Sequence, residues 1–345
     1  MKALIFTTIN QPDNLALMKQ RCPDWTPIVA GDLRTPHEAT ARLCREAGGI
    51  YLDPETQMKL GFTHAAAMPW NCYGRKNVAY LFALKEGAEM IFITDDDNVP
   101  QPDWSQHVRL GRQKVQVVTS SNGWYNPYDG ADTQDAGPIT PRGYPWELVG
   151  DRPQYSFSEA EANIGVIAGL HLGDPDVDAA TRIVRKPNVR SYPEREVSPQ
   201  RGTLSPYDSQ NTVIQRDLVP ANMLWSYVAN GSAGAGWTRF DDICAGYVGQ
   251  VIAWKYGYQV RHGRPFVYQE RNPHDLASDM SLEADGVRHL KTFIRTLQDT
   301  KLTGQTPAED LQVAAYALLE ALPSLPRCLK TCVDTWVHDL GKLGF

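Results

Sequence analysis

The chain has 345 residues, of which 42% are hydrophobic and 21% are charged, and its formal net charge is −6. This balance is typical of a globular protein, and the acidic net charge does not favour nucleic acid or an anionic membrane as the main partner. The opening run, M-K-A-L-I-F-T-T-I, is too short for a signal peptide, and no stretch approaches a membrane span. The six cysteines are scattered without paired metal-ligand spacing, so we expect a reduced, cytoplasmic protein.

The first elements predict one half of a Rossmann-like domain. Ala3 to Ile9 is a strand, and Pro12 then opens a helix. Pro27 to Ala30 is the next strand, and Asp32 follows it at a position that would meet a nucleoside. A turn aspartate is the alternative for Asp32, whereas Thr8 is expected with it among the nucleotide-binding residues. No G-x-G-x-x-G follows the first strand, which weighs against a dinucleotide cofactor.

A helix is predicted over Gly74 to Glu86, with Gly87 as its C-terminal stop. Arg75 and Lys76 lie in its first turn, where the helix dipole favours anions rather than cations. We therefore expect these two cations to face a diphosphate.

The run M-I-F-I-T-D-D-D-N begins with a short apolar stretch, Met90 to Ile93, that is typical of a strand buried on both faces of a parallel sheet. Asp95, Asp96 and Asp97 follow directly, at the end of the strand where such sheets bind ligands. Adjacent carboxylates repel one another unless solvent or a cation neutralises them. A solvated acidic turn is the alternative, but we expect Mn²⁺ or Mg²⁺ to be held here with substrate phosphates. Asp95 and Asp97 are the expected metal ligands, and Asp95 and Asp96 also the expected nucleotide contacts.

After a strand over Val115 to Thr119, a segment rich in proline, glycine and aromatic residues runs from Trp124 to Asp132 and from Pro141 to Leu148. Its prolines and glycines interrupt every period, so we expect it to lie outside the core. It could line a carbohydrate pocket or form a lid packed on its own aromatic rings.

Asn163 to Leu172 is an apolar strand, and the polar segment Ser205 to Val213 is expected to border the site. Between them, Asp174, Asp176 and Asp178 alternate but lack the rest of a calcium loop. We interpret these three acids as a surface turn and a helix cap.

Asp241 and Asp242 stand at the amino end of a further predicted helix. One of them can cap the helix, and the other is then a candidate base or hydroxyl-binding group. Asp242 is preferred as the base because Asp241 is nearer the expected cap. After a last strand over Pro265 to Tyr268, His274 is either a third metal ligand or a surface histidine.

The chain changes character after about residue 300. Thr306 to Glu309 is a capping signature, and Leu311 to Leu322 and Leu325 to Leu340 predict an amphipathic helical hairpin. We therefore divide the chain into a catalytic domain, 1–300, and a helical extension, 301–345, which could support a homo-oligomer.

Seven motifs in the same order resemble the reversibly glycosylated polypeptides, or UDP-arabinopyranose mutases. They are R-K-N-V-A-Y-L-F-A-L with I-F-I-T-D-D-D-N, Y-N-P-Y-D-G-A-D, R-G-Y-P-W-E-L, D-P-D-V-D-A-A-T-R-I-V-R-K-P, R-G-T-L and R-F-D-D-I-C-A-G-Y. The N-terminal third, with T-T-I-N and G-D-L-R-T-P, is also similar to the STELLO-type glycosyltransferases. The resemblance implies a glycosyltransferase A-type α/β fold with a mixed central sheet, and a UDP-sugar substrate with a divalent cation.

By this resemblance, Asp95 to Asp97 would be the metal and ribose motif, and Asp241 and Asp242 the acidic pair of the late motif. Arg142 matches an arginine that the mutases link to reversible self-glycosylation. Where the mutases carry a histidine just after the last strand, this chain has Tyr268-Gln269, and its nearest histidine is His274.

Three functions follow as hypotheses. The first is metal-dependent transfer of a sugar from a UDP-sugar to a carbohydrate or other hydroxyl acceptor. The second is a mutase that changes the ring size of the sugar, and the third is a non-catalytic subunit that binds nucleotide sugars. Arg142 could steady the diphosphate, carry a covalent sugar, or brace its loop through Glu147 or another acid; a protonated guanidinium is a poor nucleophile, which favours the electrostatic role.

Overall fold

A computed structural model describes residues 1–134, 137–225 and 236–345 of the chain. The strands are β1 Lys2–Thr8, β2 Trp25–Gly31, β3 Ile50–Leu52, β4 Met90–Thr94, β5 Asn98–Pro100, β6 Gly111–Ser120, β7 Tyr155–Gly173, β8 Val197–Pro199, β9 Asn211–Gln215 and β10 Gln259–Gln269. The α-helices are α1 Leu15–Arg21, α2 His37–Glu46, α3 Pro54–Lys59, α4 Thr63–Ala67, α5 Lys76–Lys85, α6 Ala179–Arg185, α7 Asp241–Lys255, α8 Leu276–Asp299, α9 Pro307–Ala321 and α10 Cys328–Lys342. Within the described residues, every helix is too short or too polar to cross a bilayer.

The described strands form one mixed sheet in the order β3-β2-β1-β4-β9-β7-β6-β8-β10-β5, and β7 also pairs with β10. The strands β3, β2, β1 and β4 run parallel to one another, whereas β9 runs antiparallel to β4. Parallel neighbours end at the same edge of a sheet, so the residues that end β1 and follow β2 and β4 meet there. That edge carries Thr8, Asp32 and the three acids, and the predicted glycosyltransferase A-type α/β fold is confirmed.

Strand β10 returns the chain to the same edge. It is longer than the predicted Pro265 to Tyr268, and its end pairs antiparallel with the short strand β5, so that Gln269 lies opposite Asn98. The sequence analysis did not predict β5, because three residues carry too little periodicity to be recognised. This pairing places the end of the last strand beside the acidic cluster.

Helix α5 is buried on nearly every side and packs on β1 and β2. A helix that is apolar around its whole circumference belongs in a core, which explains why its sequence shows only a weak one-sided pattern. The predicted helix is confirmed, although its first two residues, Gly74 and Arg75, belong to a 3₁₀ turn over Tyr73–Arg75. Gly87 follows with a φ of 79°, a conformation that suits glycine and ends the helix.

Strand β7 is twice as long as the predicted Asn163 to Leu172. Its first half, from Tyr155 to Glu161, is polar and largely exposed, and it pairs antiparallel with β6. Such a half is held by the hydrogen bonds of its neighbour rather than by burial, so a hydropathy pattern does not reveal it.

The aromatic segment after β6 is packed into the protein, which corrects the expectation that it lies outside the core. Trp124, Tyr125, Tyr128 and Tyr144 are all less than a tenth exposed. The ring of Trp124 lies 6.1 Å from that of Tyr144 and 5.4 Å from that of Tyr247, in edge-to-face contacts. Of the two interpretations, these contacts favour a segment that packs on its own aromatic rings.

The two C-terminal helices α9 and α10 share one continuous hydrophobic core with the sheet domain. The ring nitrogen of Trp336 on α10 donates to the Pro220 carbonyl at 2.9 Å, and its ring lies 5.3 Å from that of His64. The predicted cap is present, because the Thr306 hydroxyl accepts from the amide of Glu309 at 3.3 Å. A boundary at residue 300 stays a prediction.

Candidate functional site

The three carboxylates after β4 occupy different environments. Asp95 accepts a hydrogen bond from the ammonium of Lys76, whose side chain is fully buried and also donates to the Ser209 carbonyl at 3.2 Å. Asp96 accepts a 2.5 Å hydrogen bond from the Thr8 hydroxyl. Burial nevertheless raises the pKa of Asp96. Two of the predicted nucleotide contacts, Thr8 and Lys76, therefore pair with acids of the cluster.

Asp97 is the acid that β10 approaches. The side-chain amide of Gln269 donates to Asp97 at 3.4 Å, and that of Asn98 donates to its other oxygen at 3.0 Å. Burial and the neighbouring charge of Asp95 raise the pKa of Asp97 to about 6, although the positive charge of Arg271 opposes this. A cation nearby would stabilise the ionised form of this carboxylate.

The described residues do not form a metal site from protein groups alone. Among the described residues, no group of three or more His, Cys, Asp and Glu side chains is arranged to hold a metal ion. His274, the predicted third ligand, lies with Nδ1 3.0 Å from a carboxylate oxygen of Asp279. Burial lowers the pKa of His274. The residue that reaches Asp97 from the end of β10 is Gln269 instead.

Asp32 ties the end of β2 to the turn that leads into α5. Its carboxylate accepts from the backbone amides of Leu33 at 2.7 Å, Asn71 at 2.8 Å and Cys72 at 3.3 Å. These contacts favour the turn interpretation of this residue. Its predicted contact with a nucleoside stays a prediction.

Arg75 is fully buried and its guanidinium is engaged within the protein. It donates to Gln57 at 2.6 and 3.0 Å and to the carbonyls of Ala65 at 2.8 Å and Met68 at 3.1 Å. It also lies 3.7 Å from the centre of the Trp70 ring. Burial lowers the pKa of Arg75 to about 10. These contacts favour a role in bracing the loops before α5 over contact with a diphosphate.

Arg142 is the centre of a buried ion-pair network. It donates to both oxygens of Asp242, at 2.9 and 3.0 Å, lies 2.9 Å from Asp176, and donates to the carbonyl of Arg239. Burial opposes its charge, but the two carboxylates raise the pKa of Arg142 above its ordinary value. Arg142 therefore braces its loop, as one interpretation predicted, through these two acids rather than through Glu147.

The D-P-D-V-D motif is only partly the surface turn that was predicted. Asp178 caps α6 by accepting from the amide of Thr181 at 2.8 Å, which confirms the cap. Asp174 pairs with Arg182. Asp176, however, is 1% exposed, because the buried arginine network encloses it. Alternation of acids predicts exposure, and only the long-range ion pairs reverse it.

Arg271 is a site residue that the sequence analysis missed. Its guanidinium lies 3.4 Å from both Gln269 and Asp176, so it connects the acidic cluster to the Arg142 network. Its position two residues after the last strand was the available signal. Without the pairing of β10 and β5, that signal could not be told from an ordinary loop arginine.

Helix α7 begins at Asp241, and the N-cap position belongs to Phe240, so neither acid is the cap. The carboxylate of Asp241 accepts from the Tyr73 hydroxyl, and burial raises its pKa well above the ordinary value. Asp242 is occupied by Arg142 and also accepts from the amide of Ile243 at 2.9 Å.

The segment Ser205 to Val213 borders the site, as predicted. Tyr207 and Asp208 line a cavity of about 20 Å³ together with Arg142 and His171. A space of this size holds about one water molecule. Burial raises the pKa of Asp208 well above its ordinary value.

Next to the network, Arg271 lines a larger open groove of about 380 Å³. Its other walls come from the loop at Asp174, the end of α6 with Arg182 and Lys186, and the loop at His274. The groove is in the size range of small-molecule sites.

Several curated plant proteins are similar to this chain. Probable glycosyltransferase STELLO1 of Arabidopsis thaliana is 27% identical over 252 residues, which are 68% of this chain and 31% of that protein. UDP-arabinopyranose mutase 2 of the same plant is 29% identical over 288 residues, 79% of this chain and 72% of the mutase. UDP-arabinopyranose mutase 1 of Oryza sativa subsp. japonica is 31% identical over 210 residues, 58% of this chain and 50% of the mutase. The chain thus spans about a third of the STELLO protein.

The family comparison covers most of the chain. The model of the family described as reversibly glycosylated polypeptide matches residues 55–319. This range includes the acidic cluster, Arg142, the α7 acids and Arg271. The predicted resemblance is confirmed, and the chain belongs to the reversibly glycosylated polypeptide family.

Proposed function

We propose that this chain is an enzyme that transfers a sugar from a UDP-sugar to a hydroxyl acceptor with Mn²⁺ or Mg²⁺. The observation that carries the proposal is the acidic cluster at the end of β4. There Asp95 and Asp96 are held by Lys76 and Thr8, while Asp97 has its pKa raised to about 6 by burial and by the other acids. A site of this charge, at the ligand-binding edge of the sheet, suits a diphosphate with a divalent cation.

The donor set fits such a cation when the substrate supplies the remaining ligands. Mg²⁺ is commonly bound through one or two carboxylates and the phosphates of a nucleotide, so a third protein ligand is not required. Asp97 and Asp95 would hold the ion. When bound, it would neutralise the charge that develops on the leaving diphosphate.

The chain's own cations would hold the diphosphate. An ammonium has three donors, and Lys76 uses two of them on Asp95 and the Ser209 carbonyl, which leaves one for a phosphate oxygen. Arg271 contacts Gln269, which in turn donates to Asp97. Fixed cations near the acidic cluster would stabilise UDP as it leaves.

In the transfer step, the acceptor oxygen forms a bond to the anomeric carbon while the bond from that carbon to the diphosphate breaks. The electron pair leaves with UDP, and the hydroxyl proton passes to a carboxylate or to water. We propose Asp241 rather than Asp242 for this base, because both oxygens of Asp242 are held by Arg142. Asp241 forms no ion pair with the described residues, and its hydrogen bonds come from the Tyr73 hydroxyl and the amide of Asp242.

A mutase is the second candidate. It is favoured by the match to UDP-arabinopyranose mutase 2, which covers 72% of that protein, whereas the STELLO1 match covers 31%. A covalent sugar on Arg142 is disfavoured, because this side chain is 4% exposed and lies between two carboxylates. A mutase would then recapture the sugar on the diphosphate without a protein adduct.

The experiment is incubation with a panel of UDP-sugars and Mn²⁺, with and without sugar acceptors, followed by chromatography and mass spectrometry. Acceptor-dependent release of UDP supports transfer, and a ring-isomerised UDP-sugar without net release of UDP supports the mutase. Saturable binding of UDP-sugar without either product supports the non-catalytic subunit and contradicts the proposal.

The site assignment is tested separately with Asp97→Asn. This variant should lose Mn²⁺-dependent binding of UDP-sugar in calorimetry while it keeps its circular dichroism spectrum. Asp24→Asn neutralises an exposed acid and is the matched control. Unchanged affinity in Asp97→Asn would remove the acidic cluster from the site. A cytoplasmic location and a homo-oligomer through the C-terminal helices stay predictions.

A further inference from the structure

The groove beside Arg271 carries an excess of positive charge. Arg182, Lys186 and Arg271 line it, whereas Asp174 is the one carboxylate among its lining residues. Arg182 pairs with Asp174, and Arg271 lies 3.9 Å from the same carboxylate. One carboxylate therefore serves two arginines, and the third cation adds to the excess.

Of the three cations that line the groove, Lys186 is the one without an ion-pair partner among the described residues. Its side chain is exposed, and its ammonium makes no hydrogen bond or ion pair with any part of the chain that the structure describes. The nearby carboxylate of Asp176 is already paired with Arg142 and Arg271, so it does not offset the charge of Lys186. An anion entering the groove would supply the missing partner.

The backbone of Lys186 is a second, independent observation. This residue ends α6 with φ 45° and ψ 60°, the left-handed conformation in which glycine is the common C-terminal residue of a helix. A lysine here carries a steric cost that glycine would avoid. Such outliers occur where a side chain is needed for a function.

A chain of side-chain contacts joins the groove to the acidic cluster. Arg271 lines it and lies 3.4 Å from Gln269, which in turn contacts Asp97 at 3.4 Å. A ligand that contacts Arg271 in the groove would therefore be separated from Asp97 by the side chains of Arg271 and Gln269. The groove volume of about 380 Å³ is enough for a small carbohydrate.

We propose that this groove binds the acceptor and that the acceptor is an anionic sugar, one that carries a phosphate or a carboxylate. The role as an acceptor site rests on the proposed function, whereas the binding of an anion in the groove does not require it. The anionic group would pair with Lys186 and Arg271, so that the sugar hydroxyls face the anomeric carbon of the donor.

The test compares ligands that differ only in charge. Calorimetry or saturation-transfer NMR is performed with glucose, glucose 6-phosphate, glucuronate and inorganic phosphate. We expect the two anionic sugars to bind about tenfold or more tightly than glucose, because a charge-assisted hydrogen bond is worth roughly this factor. Comparison of glucose 6-phosphate with glucuronate shows whether the groove prefers a phosphate or a carboxylate. Equal affinity for glucose and both anionic sugars, or no saturable binding, would overturn the proposal.

The variants use the unusual backbone of Lys186. Lys186→Gly should weaken the binding of the anionic sugars by about tenfold and leave the affinity for glucose unchanged. Because glycine suits this conformation, it should also raise the midpoint of thermal unfolding by about 1–3 °C. Lys186→Arg should keep most of the affinity, and Lys291→Ala, which removes an exposed lysine of α8, is the matched control. Wild-type affinity for both anionic sugars in Lys186→Gly would contradict the proposal.

Asp97→Asn separates this inference from the proposed function. It should lose Mn²⁺-dependent UDP-sugar binding but keep the charge-dependent binding of the sugar anions. If Asp97→Asn binds UDP-sugar as tightly as the wild type does, the proposed donor site is wrong, and the inference about the anion site is unaffected. In kinetics, Lys186→Gly should raise the KM of the anionic acceptor about tenfold with little change in the KM of the donor.

Discussion

Arg142 donates to both carboxylate oxygens of Asp242, at 2.9 and 3.0 Å, and both side chains are 4% exposed. The pair joins the second part of the aromatic segment, Pro141 to Leu148, to the first turn of α7, and Asp176 is the second carboxylate that contacts the guanidinium. A cation held in this way is positioned by two acids and has little freedom to reach solvent. The family arginine is therefore part of the structural support of the site in this chain.

Arg142→Ala should strongly destabilise the protein. Removing one partner of a buried ion pair leaves the other charge uncompensated, at a cost of about 3–5 kcal/mol in the free energy of unfolding. Urea unfolding measures this loss. Arg142→Lys should recover part of it, and the exposed Arg152→Ala should cost almost nothing. A sugar-sized mass adduct on the wild type that is absent in Arg142→Lys would instead support covalent attachment.

Asp241→Asn should slow turnover by about 10²- to 10⁴-fold with little change in KM, because loss of a general base lowers the rate rather than ground-state affinity. Asp242→Asn should act mainly on stability, since it removes a charge from the Arg142 pair. Steady-state kinetics combined with urea unfolding separates the two effects. A wild-type rate in Asp241→Asn would end the role proposed for it.

Protonation of Asp97 should be visible in the pH dependence of stability. Its pKa is raised by burial and by Asp95 from 3.8 to about 6, so the folded protein binds this proton more tightly than the unfolded chain does. The stabilising contribution is complete below about pH 4 and is lost as the pH rises through about 6. Asp97→Asn should therefore increase the free energy of unfolding by up to roughly 2 kcal/mol at pH 7 and change it little at pH 4. An equal gain at both pH values in urea unfolding would contradict the assignment.

His274→Ala should leave Mn²⁺ affinity in the presence of UDP unchanged, because this histidine is paired with Asp279. Gln269→His should raise the affinity about tenfold, since it adds an imidazole ligand next to Asp97. Titration of free Mn²⁺ by electron paramagnetic resonance measures both, with the exposed His338→Ala as the control. A clear loss of affinity in His274→Ala alone would restore it as the third ligand.

Trp336→Ala should destabilise the whole chain by about 3–5 kcal/mol, as truncation of a fully buried aromatic residue does. The C-terminal helices share the core of the sheet domain, so unfolding should remain a single transition in both fluorescence and circular dichroism. Tyr316→Ala, on an exposed side of α9, should cost much less. Two separate transitions would support a domain boundary near residue 300.

Local pattern determined the elements that surround the acidic cluster. The apolar run before Asp95 predicted β4, the glycine stop ended α5, and the Thr306 signature capped α9, because each depends only on residues within one or two turns of chain. The ordered motifs also indicated the family, and the match over residues 55–319 confirmed it.

Tertiary structure alone decided which side chains meet. The sequence predicted Asp176 as a surface acid, but in the structure it is buried against Arg142. The sequence likewise predicted that Arg75 faces a ligand, but its guanidinium donates to Gln57 and to loop carbonyls. Charge predicts exposure locally, but a buried partner far along the chain reverses that preference, and sequence spacing does not reveal such partners. In the same way, Gln269 reaches Asp97 because β10 pairs antiparallel with β5. That strand has three residues, which are too few to be predicted from the periodicity of the sequence.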